Sequence, residues 1–291
     1  MCVSNVNAPE WAIDVQGVSK YYESFALQNV SFQLPSGAIL GLVGENGAGK
    51  TTLIKLLLNA IQPNAGKMMI LGQDNQQPDF VRLKQDIGVV LDEAYFPSVL
   101  TIKQVDKIMQ RTYLNWDEQL FARLLSKFSL PQNKKFNDFS RGMKMKLAIA
   151  VAIAHHPRLL VLDEATSGLD PMVREEILDI FMDFTREEDH SILLSSHIVS
   201  DLEKVCDYVA FLHKGQLQFC EEKDRLLEEY ALVKLNQETF ADLPEEAILS
   251  HRTSAYGIEA LVHKPQISDV FVTEHTSLED IILFMAKGDK K

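Results

Sequence analysis

A glycine-rich segment at residues 44–51 constrains this chain more than any other part of its sequence. It reads Gly-Glu-Asn-Gly-Ala-Gly-Lys-Thr and fits the pattern G-x-x-x-x-G-K-[ST]. An apolar run at residues 38–43 precedes it, and a run rich in leucine and isoleucine at residues 53–61 follows it, so the segment is predicted to join a buried strand to a helix. Backbone N–H groups in such a loop converge on phosphate oxygens at the positive end of the helix. The sequence therefore predicts a phosphate-binding loop.

The pattern gives a chemical role to two side chains of this loop. The amine of Lys50 is expected to reach the β- and γ-phosphates of a nucleoside triphosphate, and the Thr51 hydroxyl is expected to bind Mg²⁺. A glycine turn before an ordinary helix is the alternative, which the strand-then-helix context disfavours. The candidate nucleotide-binding residues of this region are Gly44, Glu45, Asn46, Gly47, Ala48, Gly49, Lys50, Thr51 and Thr52.

A second buried strand is predicted to end in two carboxylates. Residues 159–162 are all aliphatic, and Asp163 and Glu164 follow them directly. The first carboxylate can hold the magnesium shell, and the second can polarise a water molecule. Asp163 is therefore a candidate metal ligand and Glu164 a candidate catalytic base. Because apolar strands often end in acidic residues, this interpretation depends on the phosphate loop upstream.

Composition and charge exclude several classes of protein. Of the 291 residues, 46% are hydrophobic and 24% are charged, which is typical of a globular chain and not of a disordered one. The net charge of −12 disfavours nucleic-acid binding, because that binding depends on Lys and Arg displacing counterions. The longest aliphatic run, residues 147–154, is far shorter than the ~20 residues of a membrane-spanning helix. No secretory signal is apparent, so we expect a soluble intracellular protein with no nucleic-acid partner.

Strand-like and helix-like segments alternate through most of the chain, which predicts an α/β fold with a largely parallel sheet. A helical insertion is expected near residues 94–156. Beyond Cys220 the composition changes to a charged stretch, and strand-like segments follow it, among them residues 270–272. We therefore expect two domains, residues 1–220 and a small α/β accessory domain at residues 221–291.

Further short motifs accompany the phosphate loop and the acidic strand end. Residues 139–143 read Phe-Ser-Arg-Gly-Met, residues 167–170 read Ser-Gly-Leu-Asp, residues 195–197 read Ser-Ser-His, and Tyr22 precedes the phosphate loop. With these motifs in this order, the chain resembles the ATP-binding subunit of an ATP-binding-cassette (ABC) transporter over roughly residues 11–220. The resemblance implies a phosphate-loop cassette with a helical subdomain.

The resemblance implies that a second subunit completes each nucleotide site. Ser140, Arg141 and Gly142 lie in a segment similar to the family signature Leu-Ser-Gly-Gly-Gln and would contact ATP held by the partner subunit. Ser140 and the N–H of Gly142 at a helix start also form a possible anion site on physical grounds. Phe139, Arg141 and Met143 depart from the signature. Asp170 would lie in the loop that crosses the dimer interface.

The resemblance also implies roles for one histidine and one tyrosine. His197 would be the switch histidine at the end of a strand, contacting the γ-phosphate or ordering the water, and would act in catalysis with Glu164. Tyr22 would stack on adenine. Tyr21 adjoins it, and either tyrosine could simply pack.

One further position departs from the family pattern. The family has a glutamine after a segment similar to residues 87–91, whereas this chain has Asp92 and Glu93. An aspartate could still bind the ion through oxygen, so Asp92 joins Thr51 and Asp163 as a candidate metal ligand. The alternative is that Asp92 points into solvent and that Glu93, or neither residue, meets the site.

Together these features predict an ATPase that powers a membrane transporter by closing a dimer on ATP and Mg²⁺. The second ATP-binding subunit would be the same chain or a related one, and separate transmembrane permease subunits would hold the pair at the cytoplasmic face of the membrane. Residues 277–288 resemble the tail of export-type members, which favours an exporter.

Two other functions stay open at this point. An ATP-dependent clamp in translation or DNA repair is disfavoured by the single phosphate loop and the net charge of −12. A nearly inactive regulatory cassette is suggested by Asp92 and by the altered signature.

Overall fold

The computed structural model describes residues 10–92, 96–254, 257–268 and 270–287. Contacts between Cα atoms divide the chain into two compact units, one that extends to Cys220 and one that begins at Glu221. Every candidate site residue belongs to the first unit. Within the described ranges, no helix is long and apolar enough to cross a membrane.

The described residues of the first unit form ten strands, seven α-helices and two short 3-10 helices, and the last strand ends at Glu222, just beyond this unit. The strands are β1 (Trp11–Tyr21), β2 (Ala26–Pro35), β3 (Ile39–Val43), β4 (Ala65–Ile70), β5 (Gln73–Asp74), β6 (Ile87–Val90), β7 (Leu159–Asp163), β8 (Ser191–Ser196), β9 (Tyr208–His213) and β10 (Gln216–Glu222). The helices are α1 (Lys50–Leu57), α2 (Phe80–Leu83), α3 (Ile102–Thr112), α4 (Glu118–Lys127), α5 (Arg141–Ile153), α6 (Pro171–Phe184) and α7 (Val199–Val205).

The central sheet has six strands in the order β10-β9-β3-β8-β7-β6. The pairs β9–β3, β3–β8, β8–β7 and β7–β6 are parallel, so the predicted α/β fold with a largely parallel sheet is confirmed. β3, β7 and β8 are buried along their whole length, which explains their continuous apolar runs. Because parallel strands end at the same edge, Val43, Asp163 and Ser196 meet there, with Val43 opposite Ser196 and Asp163 opposite Ser195.

A second sheet, in the order β2-β1-β4-β5, is antiparallel. The loop between β1 and β2 carries Tyr22 and Phe25. The helices α3, α4 and α5 all lie within the range of the predicted insertion. α5 packs against β6 and α4, and it runs from the signature-like segment toward β7, whose far end carries Asp163.

Asn75 satisfies the carbonyl groups at the end of α1. Its side chain is completely buried, and Nδ2 donates to Leu56 O at 2.8 Å and to Leu57 O at 3.0 Å. Its Oδ1 accepts a hydrogen bond from Gln76 Nε2 at 2.9 Å. The last carbonyls of a helix have no partner within the helix, so this amide supplies one at the helix that begins with Lys50.

We expect Asn75→Ala to lower the free energy of unfolding by about 1–3 kcal/mol, because Leu56 O and Leu57 O both lose this amide donor, and only Leu56 O keeps a further hydrogen bond, from Asn59 N. Urea denaturation followed by tryptophan fluorescence measures this, since Trp11 and Trp116 both lie in the first unit. Gln77→Ala, at a neighbouring exposed side chain, is the matched control and should leave the midpoint unchanged. Equal midpoints for the two variants would contradict the capping role.

The second unit contains a four-stranded antiparallel sheet in the order β12-β13-β11-β14. Its strands are β11 (Tyr230–Leu235), β12 (Ile248–Ser254), β13 (Gly257–His263) and β14 (Thr273–Glu274), and its helices are α8 (Lys223–Glu229), α9 (Gln237–Ala241) and α10 (Leu278–Lys287). The strand predicted at residues 270–272 is wrong. Val270 and Val272 are 84% and 83% exposed, and only Phe271 packs against the core of this unit, so the segment is a turn that precedes β14.

Candidate nucleotide site

The glycine-rich loop joins β3 to α1, and Lys50 is the first residue of the helix. The Lys50 side chain is only 6% exposed because it folds back over the loop: Nζ donates to Gly44 O at 2.7 Å and to Glu45 O at 3.5 Å. The same amine lies 3.2 Å from Glu164 Oε1. Gly49, directly before the helix, has φ +112°, a backbone conformation open to glycine. The loop thus presents a buried cation and a free helix N-terminus at one place.

Asp163 is held by hydroxyl groups from two directions. Thr51 Oγ1 donates to Asp163 Oδ2 at 2.8 Å, and Ser195 Oγ donates to Asp163 Oδ1 at 2.5 Å. The aspartate is 2% exposed, so its carboxylate has a fixed orientation. Sequence reasoning missed the role of Ser195, although the motif at residues 195–197 contains it.

A hydroxyl and a carboxylate oxygen are ligands that Mg²⁺ accepts, and the ion usually adds phosphate oxygens and waters to one or two carboxylates. Thr51 and Asp163 therefore fit such an ion once a triphosphate is present. No group of three or more His, Cys, Asp or Glu in the part of the chain that the structure describes could hold a metal by itself. The donor set thus suits an ion that arrives with its nucleotide.

Glu164 lies between a cation and an imidazole. Its Oε2 is 2.6 Å from His197 Nδ1, and its Oε1 faces Lys50. The side chain is 13% exposed, whereas His197 is 46% exposed. Its backbone N–H donates to Ser195 O and Oγ, both at 3.1 Å, and its φ of +53° lies in the left-handed region that residues with a Cβ rarely adopt. These contacts hold the carboxylate at the nucleotide cavity in a fixed direction.

The loop and the strand ends surround a cavity of about 500 Å³. Its wall combines phosphate-loop residues with residues from the ends of β6 and β7 and from the loop between β1 and β2. The lining residues are Ser24, Phe25, Glu45, Asn46, Gly47, Gly49, Lys50, Thr51, Thr52, Asp92 and Glu164. Gly44 and Ala48 do not line it and instead belong to the framework of the loop.

The aromatic residue against this cavity is Phe25. Tyr22 does not line it: this tyrosine is 48% exposed, and its ring centroid is 6.5 Å from that of Phe25. Lys20 Nζ lies 5.6 Å from the Tyr22 centroid. Sequence reasoning missed Phe25, although an aromatic residue in the same short loop was a usable signal. Stacking of Tyr22 on adenine stays a prediction.

Three of the candidate residues lie away from the cavity of their own chain. Ser140 is exposed and caps α5, where its Oγ accepts from Met143 N at 3.3 Å. Asp170 is exposed and caps α6, where its carboxylate accepts from Val173 N at 3.1 Å. Gly142 lies in the first turn of α5. None of these three residues lines the cavity of its own chain.

Asp92 lines the cavity, and its carboxylate is paired with Arg141. Asp92 Oδ1 lies 3.3 Å from Arg141 Nη2, and both side chains are more than half exposed. The alternative that Glu93 meets the site falls outside the described residues. The role of Asp92 as a metal ligand stays a prediction, and the guanidinium of Arg141 lies beside its carboxylate.

Known proteins share the sequence pattern and the fold of this chain. The family model described as ABC transporter matches residues 27–167. The chain is 31% identical over 232 residues to the ABC transporter ATP-binding protein YtrB of Bacillus subtilis (strain 168), which covers 79% of each chain. It is 32% identical over 259 residues to the Nod factor export ATP-binding protein I of Rhizobium leguminosarum bv. viciae, which covers 85% of this chain and 81% of that protein. A solved structure of an ATP-binding subunit of an ABC transporter has a TM-score of 0.67 and 27% identity, and the match covers 75% of this chain and 92% of that one.

Proposed function

Because this chain belongs to the ABC transporter family of ATP-binding proteins, we propose that it is the ATPase subunit of an exporter, with permease subunits that are separate chains. One observation carries the proposal. Lys50, Thr51 and Glu164 line one cavity, Asp163 accepts a hydrogen bond from Thr51, and His197 lies against the glutamate. Export is supported by the relative whose name includes export.

Each residue then has a defined task in hydrolysis. The Lys50 amine exchanges its contacts with Gly44 O and Glu164 for the β- and γ-phosphates. Glu164 accepts the proton of the attacking water. His197, with a proton on Nδ1, donates to Oε2 and keeps the glutamate aimed at the cavity.

Thr51 and Asp163 would hold Mg²⁺ through oxygen, with Ser195 fixing the aspartate. When bound, the ion would offset the negative charge on the phosphate oxygens. Asp163 is oriented before any ion arrives, so little rearrangement of the chain is needed.

The outward position of the remaining motif residues supports a dimer that encloses nucleotide. Ser140 is exposed at the start of α5, where N–H groups attract anions, Asp170 is exposed at the start of α6, and neither residue lines the cavity of its own chain. We infer that Ser140 acts on nucleotide of a second subunit, either the same chain or a related one, and that Asp170 lies in the loop that crosses the interface between the two subunits. The transmembrane subunits would hold the pair at the cytoplasmic face of the membrane.

The transporter assignment is tested by affinity purification of the tagged full-length chain from detergent-solubilised membranes of its own host. We expect ATPase activity in the purified material and a multi-spanning membrane protein in stoichiometric amount. ATPase activity without any integral membrane partner, or recovery with ribosomes, would contradict the assignment.

The dimer arrangement predicts that two inactive variants complement each other. Ser140→Arg removes the contact made to the partner's nucleotide, and Lys50→Ala disables the chain's own cavity. In a mixed dimer, each nucleotide site combines Lys50 of one chain with Ser140 of the other. One site therefore carries both substitutions, and the other site carries neither. At equal mixing about half of the dimers are mixed, so we expect recovery of about a quarter of wild-type ATPase activity.

Ser126→Arg, at an exposed serine of α4, is the control for an added surface arginine and should leave activity intact. Differently tagged chains show whether mixed dimers form. Mixed dimers with no recovered activity would rule out the composite site.

A further inference from the structure

Two of the positions at which this chain departs from its family pattern contact each other. Asp92 stands where the family has glutamine, and Arg141 stands where the signature has glycine. The residues are 49 positions apart in the sequence, yet Asp92 Oδ1 and Arg141 Nη2 are 3.3 Å apart. We propose that Arg141 is a positioning residue that offsets the charge of Asp92 at the nucleotide cavity, and thereby sets how strongly ATP binding depends on Mg²⁺. This inference rests on the proposed function.

The charges of the cavity wall show why an offset is needed. Glu45, Asp92 and Glu164 line the cavity, and Lys50 is the one cation among the described lining residues. That cation already lies 3.2 Å from Glu164. Asp92 would therefore face the polyanionic triphosphate without a counter-charge in the wall, and like charges repel. Arg141 supplies the positive charge from outside the wall.

The Arg141 guanidinium lies in space that a glycine leaves open. Arg141 begins α5 directly after the capping Ser140. A Cβ at Gly168, whose φ is +65°, would lie 2.7 Å from Arg141 Nη1, so the glycine leaves the room that the guanidinium occupies. Asp92 follows β6 and Gly168 follows β7, and both lie against the side chain of Arg141. This side chain therefore connects Asp92 to the signature-like segment.

The pair contributes little to folding, because exposed ion pairs are weak. Its side chains are 55% and 58% exposed. Loss of either partner should therefore leave the melting temperature unchanged, whereas a packing role would lower it. This separates the proposed effect on nucleotide binding from a purely structural one.

The test is equilibrium binding of ATP to the full chain by calorimetry, with chelator and with excess Mg²⁺. We expect Arg141→Gln to weaken metal-free binding about three- to fivefold, the upper range for an exposed charge pair, and binding with Mg²⁺ to change less than about twofold because the dication offsets Asp92. Asp92→Asn should strengthen metal-free binding. In the double variant the Arg141 substitution should have no further effect, which is the signature of coupled residues.

Arg186→Gln is the matched control, since Arg186 forms an exposed ion pair with Asp183 at the far end of α6 and its loss changes the net charge equally. It should not alter either affinity. Two results would overturn this inference and leave the proposed function standing. One is an equal change in ATP affinity with and without Mg²⁺, and the other is an effect of Arg141→Gln that persists in the presence of Asp92→Asn. A wild-type chain that binds no ATP in either condition would overturn the proposed function as well.

Discussion

Glu164→Gln is expected to slow ATP hydrolysis by about 10²–10⁴-fold, the contribution of a general base, while ATP binding is retained. The amide has nearly the shape of the carboxylate but cannot take a proton from water. Lys50 and Thr51 are unchanged in this variant, so the phosphate-binding loop should still bind the triphosphate. Phosphate release measures the rate, and size-exclusion chromatography with ATP should show an accumulating ATP-bound dimer.

Glu175→Gln provides the matched control. This glutamate is exposed and pairs with Lys204 on the neighbouring α7, away from the cavity lining, so hydrolysis should continue at the normal rate. A Glu164→Gln protein that hydrolyses ATP as fast as this control would remove Glu164 from the catalytic role.

Lys50→Ala is expected to weaken ATP binding by about 100-fold or more, because each hydrogen bond between a charged group and a phosphate contributes about 1.5–3 kcal/mol. The loss is large because the amine is nearly buried at 6% exposure, where solvent cannot replace it. Calorimetric titration with ATP and Mg²⁺ gives the affinity, and tryptophan fluorescence shows whether the first unit remains folded.

Lys55→Ala tests whether any lysine of the same helix would have this effect. Lys55 lies on α1 and is exposed, so its loss should leave the affinity for ATP unchanged. If a folded Lys50→Ala protein binds ATP as tightly as the Lys55→Ala protein does, the phosphate contact of Lys50 is refuted.

The parts of the site that the sequence predicts are those determined by neighbours along the chain. The phosphate loop follows one buried strand, and Asp163 and Glu164 lie at the end of another. Because parallel strands end at one edge of a sheet, local patterns suffice to bring these residues together. The same alternation predicts the parallel sheet. Membership of the family, expected from the order of the short motifs, is confirmed by the family model and the relatives.

The contacts that sequence reasoning missed depend on distant segments. Ser195 reaches Asp163 only through the register of β7 against β8. Phe25 reaches the cavity only because the loop between β1 and β2 lies beside the phosphate loop. The contact of Asp92 with Arg141 joins segments on either side of α3 and α4, and no local pattern encodes it.

In the second unit the failure has a different cause. Residues 270–272 are too few to distinguish a strand from a turn with one inward ring. β12 combines polar and apolar residues, so its pattern does not stand out. Whether a short segment forms a strand of an antiparallel sheet depends more on the strands it pairs with than on its own composition.

The left-handed backbone conformation of Glu164 lowers the stability of the fold at a position where the proposed activity requires a carboxylate. A residue with a Cβ costs about 1–2 kcal/mol in that conformation, and the penalty falls away for glycine and is smaller for asparagine. Neither of those residues carries a base, so the substitutions that would make the fold more robust are the ones that would silence the enzyme. Replacement of Glu164 by glycine is therefore expected to raise the free energy of unfolding while it removes the proposed base.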